Sequence, residues 1–192
     1  MKRRLKRWLK RSLITLLLIA AASAASAASP ENPAEKYFSG IELIDQDGKT
    51  VRLYEDLMRG HTVVIHSMFS SCHGSCPIMA GNFAAMQAHF TGRLGKDFRL
   101  ISISVDPEET PAKLKAFGQQ FKAQPGWVLL TGKRGEVERA LRKLGQFVEQ
   151  PTDHSNIILI GNDRTGLWKK AFGMARSPEL ITVVQSVLDD PQ

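Results

Sequence analysis

The residues able to do chemistry gather in one short stretch, Ser70-Ser71-Cys72-His73-Gly74-Ser75-Cys76-Pro77, which holds both cysteines of a 192-residue chain. A thiolate binds soft metal ions and attacks disulfides, so this pair suits either metal ligation or disulfide exchange. A bridge between Cys72 and Cys76 would close a very short loop, and short loops contribute least to stability, which argues against a purely structural disulfide. A thiol peroxidase would need peroxide-polarising groups around one low-pKa cysteine, and no such set is recognisable.

The histidines supply the nitrogen donors. His73 stands between the cysteines, where it can stabilise a thiolate, act as a spare ligand or be a plain loop residue. His154 lies in Asp153-His154-Ser155-Asn156, just before an apolar run, so its loop can reach over a neighbouring site. Asp153, the carboxylate beside this imidazole, is a candidate for orienting nearby groups, although adjacent residues of an extended chain usually point apart. His66 sits inside an apolar run, His89 on a helical stretch and His61 in a polar turn, and packing or solvation accounts for each. Two thiolates and one imidazole form a soft, low-coordinate donor set that favours Cu(I), accepts Zn(II) and can take Cu(II). On the residues alone, metal binding and disulfide exchange stand level.

The elements that position these residues follow from hydrophobic pattern. Thr62 to Phe69 is an apolar, β-branched run that predicts a buried strand, and the small polar residues after it predict a loop. A helix runs to Phe90, with Met79, Phe83, Met86 and Phe90 on one face. Pro77 suits its first position, which puts Cys76 at or beside the N-cap, where the helix dipole should lower a thiol pKa.

Elsewhere, Ile41 to Asp45 and Val51 to Leu53 flank a turn and predict a hairpin. Phe98 to Val105 predicts a second buried strand ending at Asp106-Pro107, an ordinary turn whose carboxylate is an auxiliary site candidate. Thr110 caps a helix bearing Leu114, Phe117 and Phe121. Trp127 to Leu130 and Asn156 to Ile160 are strands around a helix bearing Val137, Leu141, Leu144 and Val148. Leu167 to Phe172 and a helix capped by Ser177-Pro178 complete the chain. This order predicts an α/β, thioredoxin-like fold: a mixed central sheet flanked by helices, with an added N-terminal β-hairpin. Chemistry in such sheets collects at the carboxyl ends of the strands, where Cys72, Cys76 and Asp106 would lie.

The amino terminus carries Lys2, Arg3, Arg4, Lys6, Arg7, Lys10 and Arg11, then an apolar run from Leu13 to Ala22 and small residues. Residues 1–28 therefore read as a secretory signal peptide, or as an anchor if retained, although the run falls short of the about 20 strongly apolar residues of a spanning helix. Residues 29–37 read as a linker and 38–192 as one domain. The whole chain has 26 Lys plus Arg against 19 Asp plus Glu; the seven leader cations removed, 19 stand against 19. The exported part is near neutral, so the charge gives no support for a nucleic-acid partner, and membrane contact is expected only if the leader is retained.

Taken together, Cys72-His73-Gly74-Ser75-Cys76-Pro77, Ser102 to Pro111 with its Asp106-Pro107-Glu108-Glu109-Thr110-Pro111, Leu130-Thr131-Gly132 and Asp153-His154-Ser155 resemble the Sco/SenC family in order and type. The resemblance spans roughly Phe38 to Leu188. It implies a thioredoxin-like domain outside the cytoplasmic membrane, periplasmic or anchored to the inner membrane. It further implies copper held by Cys72, Cys76 and His154, with His73, Asp153 and Asp106 as auxiliaries. Such proteins help mature the dinuclear copper centre of cytochrome c oxidase, either as metallochaperones or by reducing the recipient's cysteines. The implied partners are a copper-receiving subunit and a thiol-disulfide reductant; in the oxidoreductase reading Cys72 and Cys76 are the catalytic pair. The chain departs from the family in having His73 and Gly74 where Pro and Asp are common, Glu109 where Asp is common, and Gln150-Pro151-Thr152 where an aromatic residue is usual.

Overall fold

The run of β-branched residues before the cysteines forms the strand on which the sheet is built. A computed structural model describes residues 32–191, and its elements in chain order are helix α1 (Pro33–Phe38), strands β1 (Glu42–Asp45) and β2 (Thr50–Arg52), a π-helical turn (Leu53–Met58), β3 (Thr62–Met68) and α2 (Ser75–His89). There follow β4 (Phe98–Ser104), α3 (Pro111–Gln120), β5 (Trp127–Thr131), α4 (Arg134–Leu144), a 3-10 turn (Pro151–Asp153), β6 (Ile157–Asn162), β7 (Trp168–Phe172) and α5 (Ser177–Leu188). The leader segment lies outside the described residues, and among those residues no helix is long and apolar enough to cross a membrane.

The seven strands form one mixed sheet in the order β2-β1-β5-β4-β3-β6-β7. Strands β3, β4 and β5 are parallel, β6 runs antiparallel to β3, and the hairpin joins through β1 antiparallel to β5. All seven residues of β3 are buried, as a strand covered on both faces requires. Alternate residues feed two cores. Val64 and Met68 pack under α2, α3 and α5, while Val63 and Ile65 pack under α4, the π-helical turn and the hairpin.

This topology decides where the functional loops meet. Parallel strands β3, β4 and β5 all end at one edge, and because β6 runs the other way it begins there. The loop before β6 is thereby delivered to the end of β3. Helix α2 is held in register by Asn82, whose side-chain amide donates to the carbonyls of Gly173 (2.8 Å) and Ala175 (2.9 Å), while Ser177 Oγ donates to Asn82 Oδ1 at 2.6 Å.

Several local expectations shift. Residues 33–37, read as linker, belong to α1: Asn32 Oδ1 caps the Ala34 N–H, Pro33 occupies the first turn, and Phe38 is buried in the second core. The second hairpin strand stops at Arg52 because Leu53 opens the π-helical turn. Gly145, left-handed at φ 66°, ends α4, so Val148 lies beyond it. Ser177 is the first residue of α5 rather than its cap, since its hydroxyl is engaged by Asn82. Thr110 caps α3 as expected, accepting from the Lys113 N–H.

One polar group interrupts the apolar face beneath α2. His66 is fully buried on β3, with Nε2 2.6 Å from Ser102 Oγ and its ring centroid 4.2 Å from that of Phe83, the two planes tilted by 36°. Trp127 Nε1 donates to the same Ser102 oxygen at 3.0 Å, and His66 Nδ1 has no partner. Burial, with a smaller effect of His154, drives the His66 pKa down to about 3. The folded protein therefore holds His66 neutral while the unfolded chain protonates it near 6.5, so its stabilising effect is intact above pH 6.5 and is lost as the pH falls toward 3. Denaturant titrations of wild type and His66→Phe from pH 7 to pH 4 should show wild type losing about tenfold more in folding equilibrium constant per pH unit below 6.5. Parallel curves would contradict this assignment.

Candidate metal centre

The loop leaving β3 turns at once, with the Cys72 N–H donating to the Phe69 carbonyl at 3.2 Å. It then enters α2, whose first helical residue is Ser75 and whose N-cap is Gly74, without a side-chain cap. Cys76 is thus within the first helical turn and Pro77 one residue further in, both deeper than the proline position suggested. From the opposite direction the 3-10 turn ends at His154, whose N–H donates to the Pro151 carbonyl at 3.2 Å.

These two segments bring three soft or borderline donors to one point. His154 Nε2 lies 3.3 Å from Cys76 Sγ and 3.7 Å from Cys72 Sγ, and all three ligand atoms fall within 4.8 Å of one another. Both cysteines are free thiols. Cys76 is fully buried, Cys72 is 8% exposed and His154 9% exposed. Ser75 Oγ is 3.5 Å from His154 Nε2, and the Phe69 ring meets the imidazole edge-on at 5.5 Å. Neither of these contacts was foreseen; Phe69 was legible only as the end of an apolar run.

Burial overrides the helix dipole at Cys76. Loss of solvation, with a smaller contribution from the neighbouring Cys72 thiol, pushes its thiol pKa up to about 12 despite opposing hydrogen bonds from the Phe69 and Cys76 backbone. The expected low-pKa thiol is therefore not found at this position. In the metal-free protein Cys76 is protonated at neutral pH, and its charge must be compensated by whatever replaces that proton.

The remaining candidates lie outside the cluster. His73 is exposed between the two cysteines. Asp153 is exposed on the 3-10 turn; the group facing His154 Nδ1 is the Ser155 carbonyl, at 3.4 Å, so the backbone and not Asp153 orients the ring and leaves Nε2 toward the sulfurs. Asp106 closes a turn, accepting the Glu108 N–H at 2.9 Å, and lines a neighbouring groove of about 400 Å³ with Gly132 and Arg134. His66, His61 and His89 are elsewhere, the last exposed on α2 and the second bonded to the Arg59 carbonyl.

Comparisons with known proteins agree with this geometry. The SCO1/SenC family model matches residues 29–187. The SCO1 protein homolog of Bacillus subtilis strain 168 is 30% identical over 154 residues, covering 74% of this chain and 78% of its own length. The structure of Bradyrhizobium japonicum ScoI with copper bound superposes with a TM-score of 0.63 at 25% identity, covering 78% of this chain and 99% of that one. BsSco, described with a disulfide switch and as a member of the Sco family of cytochrome c oxidase assembly proteins, superposes with a TM-score of 0.63 at 28% identity, covering 76% and 90%. The thioredoxin-like sheet with its N-terminal hairpin matches the solved Sco structures, and the chain belongs to the SCO1/SenC family.

Proposed function

We propose that this protein is a copper-binding metallochaperone that carries one copper ion on Cys72 Sγ, Cys76 Sγ and His154 Nε2 and passes it to an exported copper-receiving protein, such as the copper-centre subunit of cytochrome c oxidase. The convergence of these three atoms within 4.8 Å carries the reading. The donor chemistry fits: two thiolates and one imidazole suit Cu(I), and the same set accepts Cu(II). Relatives support it, since copper-bound structures are known among them and BsSco is described as an oxidase assembly protein. The basic, then apolar, leader supports a location outside the cytoplasmic membrane, in the periplasm or anchored to the inner membrane. With Cys76 fully buried and Cys72 and His154 8% and 9% exposed, the latter two form the side through which a recipient's thiol or imidazole would enter during ligand exchange.

A second reading rests on the unequal burial of the two free thiols. As a thiol-disulfide oxidoreductase, the chain would use the more accessible Cys72 to attack a partner disulfide, forming a mixed disulfide and releasing one partner thiolate. Cys76 would then attack Cys72, releasing the second partner thiol and leaving a Cys72–Cys76 disulfide. The two electrons pass to the partner, and a thiol reductant resets the pair.

His154→Ala separates the readings. Competition against a calibrated Cu(I) chelator should show wild type binding one ion and the variant binding at least about tenfold more weakly with both thiols still titratable. Equal affinity would sink the three-ligand site and favour disulfide exchange. Because Cys76 is protonated in the metal-free form, its proton must leave when copper binds. The apparent affinity should therefore rise by about tenfold per pH unit for each proton released between pH 6 and 8, and an unbuffered titration with Cu(I) should acidify the solution. A pH-independent affinity would contradict the protonated thiol.

A further inference from the structure

A carboxylate lies buried beside the ligand loop. Glu109 is 7% exposed and sits at the end of the turn that closes β4, its N–H donating to the Asp106 carbonyl at 3.1 Å and its own carbonyl accepting from Thr131 Oγ1 at 3.4 Å. It is followed at once by the N-cap of α3, so its backbone is fixed by two strands and a helix. Its side chain reaches to the loop that leaves β3. Glu109 Oε1 accepts from Ser70 Oγ at 2.6 Å, and Oε2 accepts from the Ser70 N–H at 2.8 Å and from Ser104 Oγ at 3.0 Å. All three partners are neutral donors, so the carboxylate is held by hydrogen bonds alone. A buried carboxylate is costly unless such bonds are made, which makes the arrangement geometrically demanding.

The segment it grips touches every member of the proposed copper site. Phe69, the neighbour of Ser70, aims its N–H toward Cys76 and sets its ring against His154 at 5.5 Å. Its carbonyl receives the Cys72 N–H at 3.2 Å, closing the turn that carries Cys72. Moving Ser70 would therefore displace contacts to Cys72, Cys76 and His154 together.

We propose that Glu109 is a positioning residue for the copper site: by accepting from Ser70 and Ser104 it clamps the Phe69–Cys72 turn to the end of β4, holding the two thiols and the imidazole in ligand geometry before the metal arrives. This inference rests on the copper reading above, but half of its test does not, because loop geometry is also read from the thiols of the metal-free protein. A side chain anchored on rigid elements and supporting a ligand-bearing loop reduces the cost of organising the site on binding.

The discriminating pair is Glu109→Met and Glu109→Gln. Methionine fills similar space but leaves the Ser70 N–H without an acceptor. Glutamine placed with its amide oxygen at the Oε2 position still accepts from the Ser70 N–H and the Ser104 hydroxyl, while its NH2 group donates to Ser70 Oγ. Three quantities are compared in leader-free protein: Cu(I) affinity by chelator competition, the thiolate-to-Cu(II) charge-transfer band, and the rate of Cys72 alkylation in the metal-free form. Glu109→Met should bind Cu(I) about tenfold or more weakly, shift the band, and alkylate Cys72 several times faster, whereas Glu109→Gln should stay within about threefold of wild type on all three. The proposal is overturned if Glu109→Met matches wild type in affinity and alkylation whatever its melting temperature, or if Glu109→Gln falls with it, which would make the charge and not the hydrogen bonds the operative feature. Should Glu109→Met fail to fold, the double variant Ser70→Ala with Ser104→Ala takes its place, and unchanged Cys72 alkylation there overturns the proposal equally. Failure of wild type to bind copper would defeat the copper reading while leaving the alkylation comparison to decide the role of Glu109.

Discussion

Two thiols and an imidazole packed within 4.8 Å of one another, almost without solvent, are the constraint around which this molecule is arranged. Burial makes Cys76 resist ionisation, its pKa being pushed up to about 12, so its sulfur becomes a thiolate ligand only when a bound cation compensates the charge. Cys76 is thus held as a neutral thiol in the metal-free protein. A helix N-terminus alone, with its partial positive charge, is too weak to offset that desolvation here.

The scaffold meets the constraint by topology. Parallel β3 and β4 bring the cysteine loop and the Asp106–Glu109 turn to one edge, and antiparallel β6 starts at that same edge, so the His154 loop arrives from the far side of the sheet order without a long excursion. Asn82 locks α2 to the β7–α5 connection, and the fully buried His66–Ser102–Trp127 group braces the underside of α2 through Phe83. Each fixes a backbone from which a donor projects. The geometry of the donors is consequently a property of the sheet edge more than of the six-residue cysteine motif.

Much of this was legible in the chain. The strand, loop and helix around Cys72 and Cys76 follow from a β-branched run, small polar residues and helical periodicity, and the hairpin follows from its turn residues, with Asp45 Oδ1 accepting from the Asp47 and Lys49 N–H groups and Gly48 at φ 79°. His154 was legible as a loop residue before a buried strand. What escaped was set by tertiary contact. The helix at 33–38 exists because Phe38 finds a core, Ser177 loses its capping role to Asn82, and the thiol pKa depends on burial that no local motif encodes. Asp153 adjoins His154 in sequence but not in interaction, whereas Glu109, marked in the sequence only as standing where Asp is common, lies against Ser70, thirty-nine positions away in the chain.

The central claim is that copper is held by both sulfurs and the distal imidazole. X-ray absorption at the copper edge of the Cu(I)-loaded, leader-free protein tests it most directly, because sulfur neighbours and the multiple scattering of an imidazole ring are separable in the spectrum. Two sulfur ligands and one imidazole, with the imidazole signature absent from His154→Ala, is the predicted result. A spectrum with fewer than two sulfurs, or with an imidazole contribution that survives the loss of His154, would contradict the site.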